Sequence, residues 1–170
     1  RAAERDIDRE AIQVLYEITS RSENETERLR GLWALHAIHA FPDRVGGRLL
    51  RDRSEYVRAW TIQLLCEDRE LSEGLLTQLQ RMAQSDNSPL VRLYLASALQ
   101  RLETQARIPI LARLIAHESD STDHNLPLMY WYAAEPVVAT DQESGLRLLE
   151  TCKIPKVREY IVRRIAESTL

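Results

Sequence analysis

The amino-acid sequence predicts an all-α fold, an α-α superhelix of about five antiparallel helix pairs stacked in chain order. Three observations predict it. With 5 Gly and 6 Pro in 170 residues, the chain lacks the turn residues that a β-protein of this length needs, and Leu, Ala, Arg, Glu and Gln dominate instead. Apolar residues recur at helical spacing, as in Ala11, Ile12, Leu15 and Ile18, and again in Leu75, Leu76, Leu79 and Met82. Finally, one short pattern returns along the chain: an aliphatic residue, then Arg, then a large apolar residue two places on. It reads Leu29-Arg30, Val57-Arg58, Val91-Arg92 and Val157-Arg158, and the double-length gap before Val157 asks for a copy at Leu128. The five anchors are 28, 34, 37 and 29 residues apart, a period that fits one helix pair per repeat.

Each repeat supplies two helices, and each has a local reason. The first spans about 4–20 on its apolar stripe, and the second spans about 25–40 through Leu29. Pro42 opens a short helix at about 42–50; Gly46-Gly47 inside it cost about 1 kcal/mol each in propensity, so bending or fraying is expected there. Ser54 caps a helix at about 55–67 and Ser72 one at about 72–84, while Asp86 or Asn87, with Pro89 in the first turn, starts one at about 88–102. Next come helices at about 105–117 and 126–138, the latter carrying Pro136, which removes an N–H and is expected to kink or end it. The last pair lies at about 141–151 and 155–168, with Pro155 in its first turn. One such pair cannot bury its apolar face alone, so neighbours share a continuous core and form one domain over 1–170. The chain opens on Arg1 and reads as a piece of a larger multidomain protein.

The stack predicts two structural series. Asp52 stands six residues before Arg58, and Asp86 six before Arg92, so each Arg can bridge to its own or an adjacent turn Asp in a ladder that Arg30 and Arg158 extend. The aromatic three places after each anchor (Trp60, Tyr94, Trp131, Tyr160) is expected to plug the seam between neighbours.

The Asp, Pro and Val-Arg pattern resembles HEAT repeats over nearly the whole chain. It is carried by Asp52 with Val57-Arg58, Asp86 with Pro89 and Val91-Arg92, and Pro155 with Val157-Arg158. The resemblance implies an interaction scaffold, with second helices lining the inner surface of a right-handed arc. The fourth copy departs from it: Met129 stands where the ladder Arg belongs, followed by Tyr130, Trp131 and Tyr132. That segment, with Arg30-Gly31-Leu32-Trp33-Ala34-Leu35-His36, resembles the HEAT region of large exported dehydrogenase-like, haem-binding proteins of planctomycetes and verrucomicrobia. There it follows a β-propeller and precedes a cytochrome c module. The likeness implies an exported parent and a non-catalytic middle section.

Composition excludes several classes. Net charge is −3, so no global basic field draws nucleic acid. No apolar run approaches the roughly 18–20 residues needed to span a bilayer. Cys66 and Cys152 are the only cysteines, without CxxC or CxxCH, and read as buried small hydrophobes. GxSxG, HExxH and a Gly-rich phosphate loop are absent, so neither catalytic residues, cofactor nor metal is expected. The candidate contact site is Asp123, His124, Asn125, Tyr130, Trp131, Tyr132 and Glu135, and a ligand- or metal-binding site around Asp123–Glu135 stays open as an alternative, since two carboxylates and an imidazole can ligate a metal or do acid–base work. Trp131 is expected to face inward by alignment, leaving Tyr130 or Tyr132 at a surface. Asp123 and Asn125 also suit helix capping, and Glu135 lies about 16 Å along the axis from His124, too far for joint chemistry on an unbroken helix. His36 and His39 are three apart, but no third metal ligand can be named. Basic clusters lie at Arg44, Arg48, Arg51 and Arg53 and at Lys153, Lys156, Arg158, Arg163 and Arg164. They keep a DNA-binding alternative open, similar to the HEAT-like alkylpurine DNA glycosylases. Asp43, Asp52, Glu55 and Glu159 interrupt them. A protein partner is favoured, in the flanking modules or a separate chain.

Overall fold

A computed structural model describes residues 2–67 and 71–167, with side chains from residue 9 onward. Among the described residues there are ten α-helices, one 3-10 turn and no strand. The helices are α1 (Ala2–Arg21), α2 (Glu25–Ala37), α3 (Asp43–Leu49), α4 (Glu55–Leu65), α5 (Glu73–Ser85), α6 (Pro89–Leu99), α7 (Thr104–Leu114), α8 (Leu126–Thr140), α9 (Gln142–Thr151) and α10 (Pro155–Glu167). All ten expected helices are present; residue 168, the expected end of the last, lies outside the described residues. Second helices pack in succession, α2 on α4, α4 on α6, α6 on α8 and α8 on α10. First helices form the other layer, with α3 on α5, α5 on α7 and α7 on α9. The fold is an α-α superhelix.

Two apolar clusters run through the stack. The smaller joins Leu32, Val45, Leu49, Val57 and Leu64; the larger extends from Leu50 to Ile161, and Phe41 packs against both. Each fully buried Leu or Ile contributes about 1.5–3 kcal/mol relative to exposure, so sharing faces between pairs is what makes the array stable. Glycine permits two close approaches. A Cβ on Gly31 of α2 would lie 2.3 Å from Thr19 Oγ1 of α1, and one on Gly46 of α3 would lie 2.6 Å from Leu65 Cδ2 of α4. Gly46-Gly47 therefore do not fray α3, which is a continuous seven-residue helix pressed against α4.

Other local expectations are corrected. The N-cap of α6 is Ser88, whose Oγ accepts from Val91 N, and neither Asp86 nor Asn87; Ser72 sits at the N-cap of α5 without a side-chain bond. Pro136 does not end α8, which continues to Thr140. Its distal turn stays helical because Val137 and Val138 are completely buried, and that packing offsets the lost N–H. Pro109 is likewise accommodated within α7. His39 ends α2 at φ 55°, where glycine is the usual residue, while its N–H donates to His36 O and Ala40 N–H donates to Leu35 O.

Candidate functional site

The ladder fixes the spacing of the second helices. Arg58 sits four residues after the N-cap of α4, so it can reach back to its own turn and forward to the next. Its Nη1 donates to Asp52 O at 2.9 Å, while Nε and Nη2 donate to the Asp86 carboxylate at 2.8 and 2.9 Å. Arg92 repeats this with Asp86 O at 2.8 Å and the Asp120 carboxylate at 2.7 and 2.5 Å. Each Asp–Arg pair six residues apart thus meets through a backbone carbonyl, and the carboxylate serves the preceding repeat. At the first step the guanidinium is that of Arg28, which donates to Ser22 O and, bidentate at 2.9 Å, to Asp52. Arg30 is exposed and outside the ladder. The aspartates also shape their turns, Asp52 Oδ1 accepting Ser54 N–H and Asp86 Oδ1 accepting Ser88 N–H. A second, acidic series crosses the same seams: Ser54 Oγ bonds Glu25, and Ser88 Oγ bonds Glu55.

The fourth step is rebuilt. A 3-10 turn, Glu118–Thr122, precedes α8, and the acid that takes Arg92 is Asp120 inside it. Asp123 keeps only the turn-shaping half of the task, accepting from Asn125 N–H and Leu126 N–H, and those two bonds hold its carboxyl below the usual aspartate range. Tyr130 is the inward aromatic, fully buried, with its hydroxyl donating to Asp120 Oδ2 at 2.7 Å; burial raises its pKa. The bond to Asp120 raises that of Arg92. The inward assignment of Trp131 is therefore corrected: Trp131 is half-buried against Tyr160, ring centroids 5.4 Å apart, and Tyr132 is the exposed one. A longer connection, residues 115–125 against 86–88 between α5 and α6, leads into α8, and Tyr130 takes the inward place expected of Trp131.

A cavity lies on the second-helix layer beside this segment. Trp33, Trp60 and Tyr94 form a row across α2, α4 and α6, with centroids 5.2 and 6.2 Å apart. These rings lie in the seams as expected: Trp60 and Tyr94 are half-buried and pack against the core clusters while showing one side to the surface, and Trp33 is exposed. Beyond Tyr94 the row breaks, because Trp131 leans toward α10 and α8 offers Leu128 and Met129 instead. The resulting space of about 450 Å³ is lined by Trp60, Gln63, Leu93, Tyr94, Ser97, Asn125, Leu128 and Met129. Its walls are aromatic and aliphatic, its polar side-chain groups are the Gln63 and Asn125 amides, the Ser97 and Tyr94 hydroxyls and the Trp60 indole N–H, and its lining includes no carboxylate or cation. Such a surface takes an uncharged apolar side chain and can hydrogen-bond the backbone that carries it.

The remaining candidates do not converge. Asp123, His124 and Asn125 are exposed at the start of α8, Tyr130 is sealed inside, and Glu135 pairs with Arg164 at 3.1 Å. Among the described residues no three metal-binding side chains cluster. His36 pairs with Glu67 at 2.6 Å, and His39 serves the helix end. Cys66 and Cys152 are free and buried; burial pushes the Cys66 thiol up to about 12 and raises that of Cys152. In the basic clusters, Arg53 pairs with Glu23 at 2.5 Å and Arg163 with Glu159 at 2.7 Å. Sequence reasoning missed Arg28, Asp120 and the cavity residues Gln63 and Ser97, and its fourth anchor is corrected: Leu128 is 40% exposed where Val57, Val91 and Val157 are fully buried. The same reasoning also missed Arg107, which is buried with Nη2 on Leu102 O at 2.9 Å and its pKa lowered by that burial.

No curated protein and no solved structure matches the chain. Among the described residues no helix is long and apolar enough to cross a membrane. The family profile described as HEAT repeats matches residues 42–124, from α3 through the 3-10 turn, so the segment that holds the Arg58–Asp86 and Arg92–Asp120 steps is a HEAT-repeat segment.

Proposed function

We propose that this chain is a non-catalytic docking scaffold that holds a segment of a partner protein on its second-helix layer. HEAT repeats commonly act as protein-interaction scaffolds. What carries the reading is the uncharged cavity at the break in the aromatic row, between Tyr94 and Leu128, which fits one apolar anchor side chain. The layer is taken as the inner surface of the arc. The chain serves within a larger exported, dehydrogenase-like, haem-binding protein, a reading that rests on the likeness of 30–36 and 123–136 and whose test is the identity of the parent. Nucleic acid is a weaker reading, since Arg53 and Arg163 are paired with acids and no cation lines the cavity. The test is cross-linking mass spectrometry on the intact parent protein in a native extract with a carboxylate-reactive linker, which samples Asp123 and Glu67. Links from both to one partner segment, lost in Leu128→Asp, support the reading; links that persist in that variant, or no links, overturn it. Partner segments in flanking modules make the chain an internal spacer, and segments of a separate protein make it a docking platform.

A further inference from the structure

Several surface arginines outside the ladder find an acid, as Arg53 does in Glu23, Arg147 in Glu143 and Arg163 in Glu159. Arg21, Arg44 and Arg48 do not. They come from the end of α1 and from α3, are exposed, and line one cleft of about 170 Å³. Among the described residues, none of the three side chains takes part in a hydrogen bond or ion pair. Both walls belong to this chain, so the cleft lies between its first two repeats. The placement works against the fold. Arg44 and Arg48 are four apart on α3, where like charges repel, whereas the pairs at that spacing on α9 and α10 join an acid to an arginine. Arg44 also stands in the first turn of α3, the end at which the peptide dipoles disfavour a cation. A charge arrangement that costs stability and makes no internal contact is the mark of a functional site.

We propose that the cleft between α1 and α3 binds the phosphoryl group of a phosphomonoester or of free phosphate, held by Arg21, Arg44 and Arg48. The charges match. One acid shares the lining, Glu17, which accepts a bond from Gln13 at 3.4 Å. Three guanidinium charges less that of Glu17 leave two net positive charges at the cleft, and a phosphomonoester carries about −1.5 to −2 at neutral pH. The geometry of the acceptor matches as well. A phosphoryl group offers three oxygens on a tetrahedral centre, so arginines from two helices can each take an edge from a different side. A carboxylate offers two oxygens in one plane and suits a single guanidinium fork. Ser20 adds to the lining a hydroxyl that is uncommitted among the described residues. A nucleic-acid backbone spreads single charges along a track, whereas these cations converge on one cleft and the neighbouring Arg53 is already neutralised by Glu23.

The test is isothermal titration calorimetry of the full-length protein with O-phosphoserine, inorganic phosphate, acetate and a short DNA duplex. Saturable binding of phosphoserine or phosphate is expected, weakened at least about tenfold in Arg44→Gln and in Arg48→Gln. Arg30→Gln, at an exposed position of α2 outside the cleft, leaves it unchanged. Tighter binding of phosphoserine assigns the site to a phosphorylated protein, and tighter binding of inorganic phosphate assigns it to the free ion. Urea unfolding separates binding from folding. Ligand-free Arg44→Gln should be at least as stable as wild type, because the repulsion with Arg48 is gone, and phosphate should raise the midpoint of wild type but not of the variant. A destabilised Arg44→Gln would make that arginine structural and overturn the proposal. So would acetate or DNA bound as tightly through the same arginines, an affinity indifferent to Arg44 and Arg48, or no saturable binding.

Discussion

Removing Arg92 by Arg92→Ala should destabilise the protein by about 3 kcal/mol, and the figure can be worked from the contacts. The pair is sealed, with side-chain exposures of 5% for Arg92 and 3% for Asp120. Breaking a buried ion pair by deleting one partner costs about 3–5 kcal/mol, because the survivor is left charged and without water. Here the Tyr130 hydroxyl still donates to Asp120, which keeps the loss toward the lower end. Arg53→Ala removes a pair exposed at 60% and 88% and should cost less than about 1 kcal/mol. Arg58→Ala, whose pair is 17% and 9% exposed, should fall between the two. Urea unfolding followed by far-UV circular dichroism reads all three. The double variant Arg92→Ala/Asp120→Ala should recover part of the loss, since no lone charge remains inside. Equal costs for Arg92→Ala and Arg53→Ala would refute the view that the ladder joins the repeats.

Gly31→Ala should cost about 1–3 kcal/mol, because its Cβ would fall 2.3 Å from Thr19 Oγ1; Gly74→Ala, with open space around it, should be neutral or stabilising, and thermal melts compare them. His39→Gly should stabilise by about 1 kcal/mol by relieving a left-handed backbone at φ 55°, read as a raised urea midpoint. The Cys66 thiol, pushed up to about 12 by burial, should resist iodoacetamide at pH 8 in the folded protein and label only on unfolding. Linkage gives the sign: its folded pKa exceeds the unfolded value, so its contribution is complete below about pH 8.5 and is lost progressively as pH rises from there toward 12. Asp123 runs the other way. Its folded pKa is depressed, so its contribution is present above the ordinary aspartate pKa, and Asp123→Ala should narrow the gap to wild type as pH falls through the folded value.

Much of the fold was legible because each helix pair repeats its apolar spacing and its caps. The ladder was legible in kind but slipped at both irregular steps. In the first repeat the anchor position carries Glu27, so the pattern settled on Leu29-Arg30, two residues past the guanidinium that reaches Asp52. At the fourth step Asp123 has the right distance from Leu128, but Arg92 bonds Asp120. The usable signal was the distance of 28 residues from Arg58 to Asp86, which recurs from Arg92 to Asp120. No local rule placed Tyr130 fully inward and Trp131 only half-buried after the inserted 3-10 turn. Pro136 misled for a related reason, since burial of Val137 and Val138 outweighs a missing N–H. The cavity itself was not readable, because it arises where two rows of side chains fail to meet.

The most direct test of the docking reading compares two photo-cross-linking positions in the intact protein within a native extract: Leu128, at the cavity on the second-helix layer, and Leu146, similarly exposed on the first-helix α9. The account predicts one defined partner segment from Leu128 and no defined partner from Leu146. A defined partner from Leu146 alone, or from neither position, would contradict it.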